Sequence, residues 1–489
     1  WLMELWYTDR KRMANMKDRI YLMRDWFFTE EFTEDMIVDT MDVSLAQTVS
    51  LPHTCKETPY HYFDEHTYQM VSCYQKILYA PEGWQGKRLL LTFEAVGHEA
   101  EVYVNGKKMA EHHCGYTAFT IDISEALNYG ADNLLTVRVD SNETLDQPPF
   151  GFVIDYMTYG GIYRDVYLQF MNPVHIATND YASSGVYIRT PEVNNSSASI
   201  EITTLLTNAL SHTTEVIVEN IICDADGKEV KKKITEVKLL SGETKADISG
   251  KIKINSPRLW DIDDPYRYIV YTRILDKGKG ILLDEVVNPL GLRWFEFDSE
   301  KGFFLNGKWR KLIGTARHQD YFHKGNALRD ELHVQDVLLL KEMGGNFLRV
   351  SHYPQDPVVM EMCDKLGIVT SVEIPVVNAV TETEEFLYNS VEMAKEMVRQ
   401  DFNRPSVMIW GYMNEIFLRR PYTEGRQLED YYRFTEKVAR ALEATIREED
   451  PSRYTMMAYH NAPEFYEDAH LTEIPMIQGW NLYQGWYEP

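Results

Sequence analysis

Short runs that alternate apolar and polar residues fill the first part of the chain. Residues 88–95, 100–105 and 134–139 read as strands bounded by turn residues. Asn105-Gly106, set between strand patterns at 101–104 and 107–110, signals a two-residue hairpin, because both turn positions need positive φ. No long helix intervenes, so residues 1–171 are predicted to form an all-β sandwich. A second set of alternating runs, at 185–189, 199–207, 214–223 and 266–275, with an Asp226-Gly227 turn, predicts an immunoglobulin-like β-sandwich over 172–290. It has no inter-sheet cysteine pair and no catalytic constellation, and reads as a spacer.

After about Gly291 the period changes. Apolar runs at 311–314, 346–350, 368–374, 407–413, 454–458 and 476–482 alternate with helical periods at 328–343, 357–366, 390–402 and 428–448. Strand–helix repetition predicts a parallel sheet, most simply a (β/α)8 TIM barrel. Residues 291–489 offer only six strand runs, and fewer residues than the ~250 of a whole barrel, so the expectation is a partial one with exposed parallel edges at strands one and six. The run at 407–413 follows a turn at Arg404-Pro405 and closes on Asn414-Glu415. A carboxylate that ends a buried barrel strand stands where such barrels place their chemistry.

Composition narrows the function. The formal charge of −25 argues against nucleic acid, whose phosphates reward a basic face. Aromatic residues make up 12% of the chain, which suits both packed cores and the apolar faces of sugars. Five scattered cysteines (55, 73, 114, 223, 363) read as free thiols in a reducing, cytoplasmic setting. No apolar run approaches ~20 residues, so no membrane span is expected. Residues 1–24 mix apolar side chains with Arg and Lys, unlike a secretory signal, and read as a solvated helical face or loose terminus.

Five polar clusters fall at predicted strand ends: Arg317-His318-Gln319-Asp320, Arg349 to Pro354, Glu373, Asn414-Glu415, and Asn481-Leu482-Tyr483. Barrel strands converge these ends on one mouth, where buried polar groups are costly unless they serve a ligand or one another. Each has a plainer reading: a lone His318 or His352 can be a satisfied structural histidine, and Arg349 can simply ion-pair with Glu373 or Glu415. His318, Asp320, His352 and Glu373 are a conceivable metal set, but no tight ligand spacing accompanies them. There is no phosphate-binding glycine loop and no Gly-x-Ser-x-Gly elbow.

The chain resembles glycoside hydrolase family 2 over nearly its whole length. The motifs that carry this are Val102-Tyr103-Val104-Asn105-Gly106, Gly115-Tyr116-Thr117-Ala118-Phe119, the stretch from Asp155 to Val166, Gly302-Phe303-Phe304-Leu305-Asn306-Gly307-Lys308, Arg317 to Asp320, Ser351 to Pro354, and Asn414-Glu415. The resemblance implies a jelly roll, an immunoglobulin-like domain and a barrel, and retaining hydrolysis of β-glycosides. It implies Glu415 as general acid/base and Asn414 as the holder of the sugar 2-hydroxyl. It also implies substrate contacts from Asp155, His318, Arg349, His352, Tyr483 and Trp486. The family nucleophile is a second Glu in a strand-seven motif. No glutamate after Glu415 has those neighbours, so the nucleophile is expected beyond residue 489.

The Asp-x-x-x-Tyr-Gly-Gly-Ile-Tyr-Arg stretch from Asp155 resembles the family's β-galactosidases more than its β-glucuronidases. A terminal β-galactoside is therefore the expected substrate. The alternatives are a β-glucuronidase or related uronidase, and a non-catalytic carbohydrate-binding relative. No cofactor is required; a magnesium site is conceivable, but its motif after strand three is replaced by Glu373-Ile374-Pro375-Val376. A homo-oligomer is conceivable, with no partner implied beyond carbohydrate.

Overall fold

The computed structural model of the chain describes residues 19–42, 44–57 and 64–485. Most of the stretch 1–24 and all of Trp486 lie outside them.

The N-terminal sandwich faces two antiparallel sheets on one another. One runs Arg19–Tyr21, Val166–Met171, Arg88–Phe93, Phe119–Asp122; the other has six strands centred on Val71–Ala80 and Ala131–Asp140. Inward residues such as Trp26, Leu91, Val102 and Val137 share one core. The expected hairpin joins Glu99–Val104 to Lys107–His112, with Asn105 at φ 50° and Gly106 at φ 81°. In the second sandwich, Ser197–Asn208 alternates half-buried and buried side chains at every position, the signature of a strand with one face on a core. Its opposing sheet pairs Thr214–Cys223 with Glu229–Leu239 and with Tyr268–Asp276.

The last region is a six-stranded parallel sheet in sequence order. The strands are β1 (Gly314–Ala316), β2 (Phe347–Val350), β3 (Val369–Glu373), β4 (Val407–Asn414), β5 (Tyr454–Tyr459) and β6 (Ile477–Trp480). The helices are α1 (Asp330–Glu342), α2 (Pro357–Leu366), α3 (Glu384–Gln400), α4 (Gly425–Glu449) and the short α5 (Pro463–Asp468). β1 and β6 are the two ends of this half-barrel, and every residue of β1 is exposed.

Three details differ from the sequence reading. β1 begins where 311–314 was expected to end, because only Gly314 tolerates the approach of strand two: a Cβ there would lie 1.6 Å from the Phe347 carbonyl oxygen. α3 starts at Glu384 rather than 390, since Thr383 Oγ1 accepts from the Phe386 N–H and Glu384 and Glu385 fill the first turn. An unanticipated antiparallel sheet (Phe295–Asp298, Gly302–Leu305, Lys308–Arg310) precedes the barrel. Its Phe303 and Leu305 pack on Val369, Met408 and Ile409, closing the bottom of the half-barrel.

Both sandwiches dock on the barrel through specific polar contacts. Arg164 donates to the Pro354 carbonyl at 2.8 Å and to Gln319 at 3.2 Å, and Tyr116 stacks on Tyr353 at 4.2 Å. Asn403 joins the second sandwich, donating to the Val186 carbonyl at 2.7 Å and accepting from the Ile188 N–H at 2.9 Å. Among the described residues no helix is long and apolar enough to cross a membrane.

Candidate active site

β4 sets the site. All eight of its residues are buried, flanked by β3 and β5. Its glycine is forced: a Cβ on Gly411 would meet the Glu373 Cβ at 2.7 Å, so the close β3–β4 approach that seats Glu373 depends on it. At the strand's end, the Asn414 carbonyl accepts from the Asn378 N–H at 2.9 Å, and the Glu415 N–H donates to the Ala458 carbonyl at 2.7 Å. Glu415 turns left-handed, φ 50°, and leaves the strand pinned on its β5 side.

Four of the predicted residues meet in one network. Arg349, at the end of β2, donates Nε and Nη2 to the two oxygens of Glu373 at 3.0 and 3.2 Å. Nη2 also reaches Asn414 Oδ1 at 2.8 Å, and Nη1 reaches Asn481 Oδ1 at 3.1 Å. Asn481 Nδ2 then donates to Asn414 Oδ1 at 3.0 Å and to Glu415 Oε1 at 2.6 Å. The Tyr483 hydroxyl lies 3.3 Å from the same Glu415 oxygen. An arginine only donates, so the Asn414 amide must present its oxygen to Arg349, which turns its NH2 away from the network.

Glu373 is the anchor. Burial alone pushes its carboxyl up, but Arg349 and His352 outweigh that and hold it at about 2. His352 Nδ1 sits 3.2 Å from Glu373 Oε1. His318 lies further round the mouth, with Nδ1 3.0 Å from the Tyr353 hydroxyl. Burial, aided by neighbouring His352, lowers the His318 pKa to about 4, so its ring is neutral near pH 7. Asp155 is exposed on the jelly-roll loop, within electrostatic range of His318. Its neighbour Tyr156 places its ring 4.6 Å from His318 and 5.9 Å from His352. The jelly roll thus supplies one wall of the mouth.

Of the conceivable metal set, His352 and Glu373 pair with each other, while His318 and Asp320 turn to tyrosines. Asp320 accepts from Tyr159 at 3.0 Å, while His318 turns to Tyr353 and His352 to Glu373. Among the described residues no group of three His, Cys, Asp or Glu could hold a metal ion. A cavity of about 390 Å³ lies elsewhere, where sandwiches and barrel meet, walled by Glu94, Arg164, Asp356 and Arg404 but by none of the network residues.

Asn481, placed by the sequence in a strand-end cluster without a role, bridges acid and arginine. Two residues of the mouth, Tyr156 and Asn378, were given no role from sequence. Tyr156 carries a buried hydroxyl with no hydrogen-bond partner among the described residues, and Asn378 Oδ1 beside Asn414 is likewise buried and has none among them. Such groups cost ~1–3 kcal/mol each unless a ligand or water satisfies them, which suits a site for a hydroxyl-rich molecule.

Three family models match the chain in order. They are glycosyl hydrolases family 2, sugar binding domain, over residues 42–173; glycosyl hydrolases family 2 over 181–293; and glycosyl hydrolases family 2, TIM barrel domain, over 298–488. The chain is 36% identical over 478 residues to a β-glucuronidase of Bacteroides fragilis, covering 96% of this chain and 64% of that protein. It is 36% identical over 389 residues to a β-galactosidase of Thermoanaerobacter pseudethanolicus, covering 79% of this chain and 50% of the relative. The crystal structure of a Bacteroides uniformis β-glucuronidase superposes with a TM-score of 0.93 at 36% identity, covering 97% of this chain and 56% of that one. The chain therefore spans less than two thirds of the length of these relatives.

Proposed function

The chain belongs to glycosyl hydrolase family 2, and from that premise we propose that the protein is a retaining, exo-acting hydrolase of terminal β-glucuronides with Glu415 as acid/base. The observation that carries this reading is the tethered Asn414–Glu415 pair. Arg349 and Asn481 occupy Asn414 Oδ1, leaving its NH2 for a sugar hydroxyl, while Asn481 and Tyr483 hold one oxygen of Glu415. The other oxygen is then the one to protonate the departing glycosidic oxygen, and later to take a proton from water.

Retention needs a second carboxylate ~5–5.5 Å from the first to attack the anomeric carbon. Glu373 is unsuited, because both its oxygens are committed to Arg349 and one also to His352. We place the nucleophile outside the described residues and assign Glu373 to holding Arg349, hence Asn414, in position.

The choice of glucuronide is supported by the β-glucuronidases of B. fragilis and B. uniformis, which match nearly the whole chain. The β-galactoside reading stays as the second, favoured by the Asp155 stretch and by the T. pseudethanolicus relative. We also propose a reducing, cytoplasmic setting, supported by five buried, unpaired cysteines. The test is turnover of nitrophenyl β-glycosides by the natural full-length protein. The expected kcat/KM favours the glucuronide over the galactoside by roughly 10²-fold or more. A reversed ratio establishes the galactoside reading, and no turnover of any β-glycoside leaves the carbohydrate-binding relative.

A further inference from the structure

Glu415 divides the mouth into two sides. On one side stand Arg349, His352, His318 and Tyr156, from the ends of β1 and β2 and from the jelly roll. On the β5 side the chain leaves Glu415 in a tight turn, the Leu418 N–H donating to the Glu415 carbonyl at 2.7 Å. The Arg419 N–H is then anchored to the Asn378 carbonyl at 3.0 Å. Arg420 lies over the Phe465 ring, its guanidinium carbon 3.5 Å from the centroid, and donates Nη1 to the Tyr432 hydroxyl at 2.7 Å. His460, at the end of β5, feels the charges of both Glu415 and Arg420, and its Nδ1 is held at 2.5 Å by the Tyr466 hydroxyl.

Arg420 is half-buried and held on two sides, yet among the described residues neither it nor exposed Arg419 has a carboxylate within ion-pair distance. That is unexpected in a chain with 75 acidic residues against 50 Lys and Arg. Glu464, on the same helix turn as Phe465, acts on His460 and Tyr432 from a distance but forms no ion pair with Arg420. A guanidinium fixed by stacking and one hydrogen bond keeps its remaining N–H groups, Nε and Nη2, oriented for a planar anion. An acid/base protonates the glycosidic oxygen, so the groups beside it on the side away from the sugar border the leaving group.

We propose that the loop after β4 and the turn after β5 form a leaving-group subsite for an anionic, carboxylate- or sulfate-bearing aglycone, read by Arg420 with Arg419 as a second charge. This rests on Glu415 being the acid/base. The test uses the natural full-length protein and calorimetric binding of phenyl thio-β-glucuronides and thio-β-galactosides, which bind without turning over. The phenyl ring carries a carboxylate, a sulfonate or a neutral carboxamide. The expected result is roughly tenfold tighter binding of either anionic aglycone than of the carboxamide, a ratio that shrinks with added salt. Arg420→Met should bring the ratio close to one by weakening the anionic aglycones while leaving the carboxamide's affinity unchanged, Arg420→Lys should keep part of the ratio, and Arg419→Gln should lower it less. The stronger of the two anionic arms tells carboxylate from sulfate. A ratio near one in the unaltered protein overturns the subsite, as does an Arg420→Met protein that loses affinity for the neutral carboxamide as well or keeps the original ratio. No binding of any thioglycoside overturns the glycosidase reading beneath it.

Discussion

Glu415 and Glu373 are both buried carboxylates at strand ends, yet their surroundings give them opposite work. Glu373 meets a full guanidinium and a histidine and stays ionised down to about pH 2, which suits an anchor and not an acid. Glu415 accepts instead from an amide and a phenol, Asn481 Nδ2 at 2.6 Å and the Tyr483 hydroxyl at 3.3 Å, both on one oxygen, which leaves the other for the substrate. Glu415→Gln should therefore slow β-glycosides with poor leaving groups by ~10²–10⁴-fold, and activated aryl glycosides far less, since only the former need protonation. Azide should restore part of the second step. Steady-state kinetics on a matched pair of substrates checks this, and equal losses without rescue would remove Glu415 from the role. At this scale sequence reading was uneven. Asn414 and Glu415 were legible because they follow an apolar run directly. The division of labour between Glu415 and Glu373 was not, because it depends on which of them Arg349 reaches across three strands.

β4 shows how an element carries a site. Its apolar run is buried throughout, and its start is held by Arg453, which donates to the carbonyls of Val407 at 2.9 Å, Phe402 at 2.7 Å and Arg404 at 3.0 Å. Its middle must pass close to β3, which Gly411 alone permits. Gly411→Ala is expected to cost about 1–3 kcal/mol of stability by overpacking and to lower kcat as Glu373 and Arg349 are displaced. Thermal unfolding alongside turnover reports both. A variant as stable and as active as the parent would mean that β3 and β4 can separate without disturbing the network. Element type was legible from periodicity for β4, α2 and α4. The start of α3 was missed because the signal was a Thr383 cap, and β1 was misplaced because its position depends on contact with Phe347.

Across the whole molecule, buried titratable groups set an acid limit. His53, His98, His318 and His333 are each lowered to about 4 by burial. The unfolded chain binds these protons near pH 6.5 while the folded one excludes them, so stability is lost as pH falls from 6.5 towards 4. Glu94 and Asp401 act the other way: burial raises them to about 8 and about 6, so they favour the fold at low pH and lose that contribution as pH rises. Four histidines outnumber two carboxyls below pH 6.5, Glu373 adds to the acid loss below its unfolded value of 4.5, and Glu94 alone of these titrates between 6.5 and 8. The unfolding temperature is therefore expected to peak between about pH 6 and 7 and to fall on both sides. Calorimetric scans from pH 4 to 8 test this; a flat profile, or one rising towards pH 4, would contradict it.

Local order along the chain was enough to determine the two sandwiches, the strand–helix repeats of the last part of the chain, the Asn105-Gly106 hairpin and the placement of Asn414-Glu415 at a strand end. Each follows from side-chain period or turn chemistry, which neighbouring residues specify among themselves. Only the tertiary structure decided that Arg349 holds Glu373 and Asn414 together, that Asn481 bridges to Glu415, that Tyr156 of the jelly roll faces two barrel histidines, and that Arg420 has no carboxylate partner among the described residues. Those pairings join residues 65 to more than 100 positions apart in several cases. The fold, not spacing in sequence, brings such groups within hydrogen-bond or ring-contact distance, and a charge's effect depends on which partner burial forces upon it.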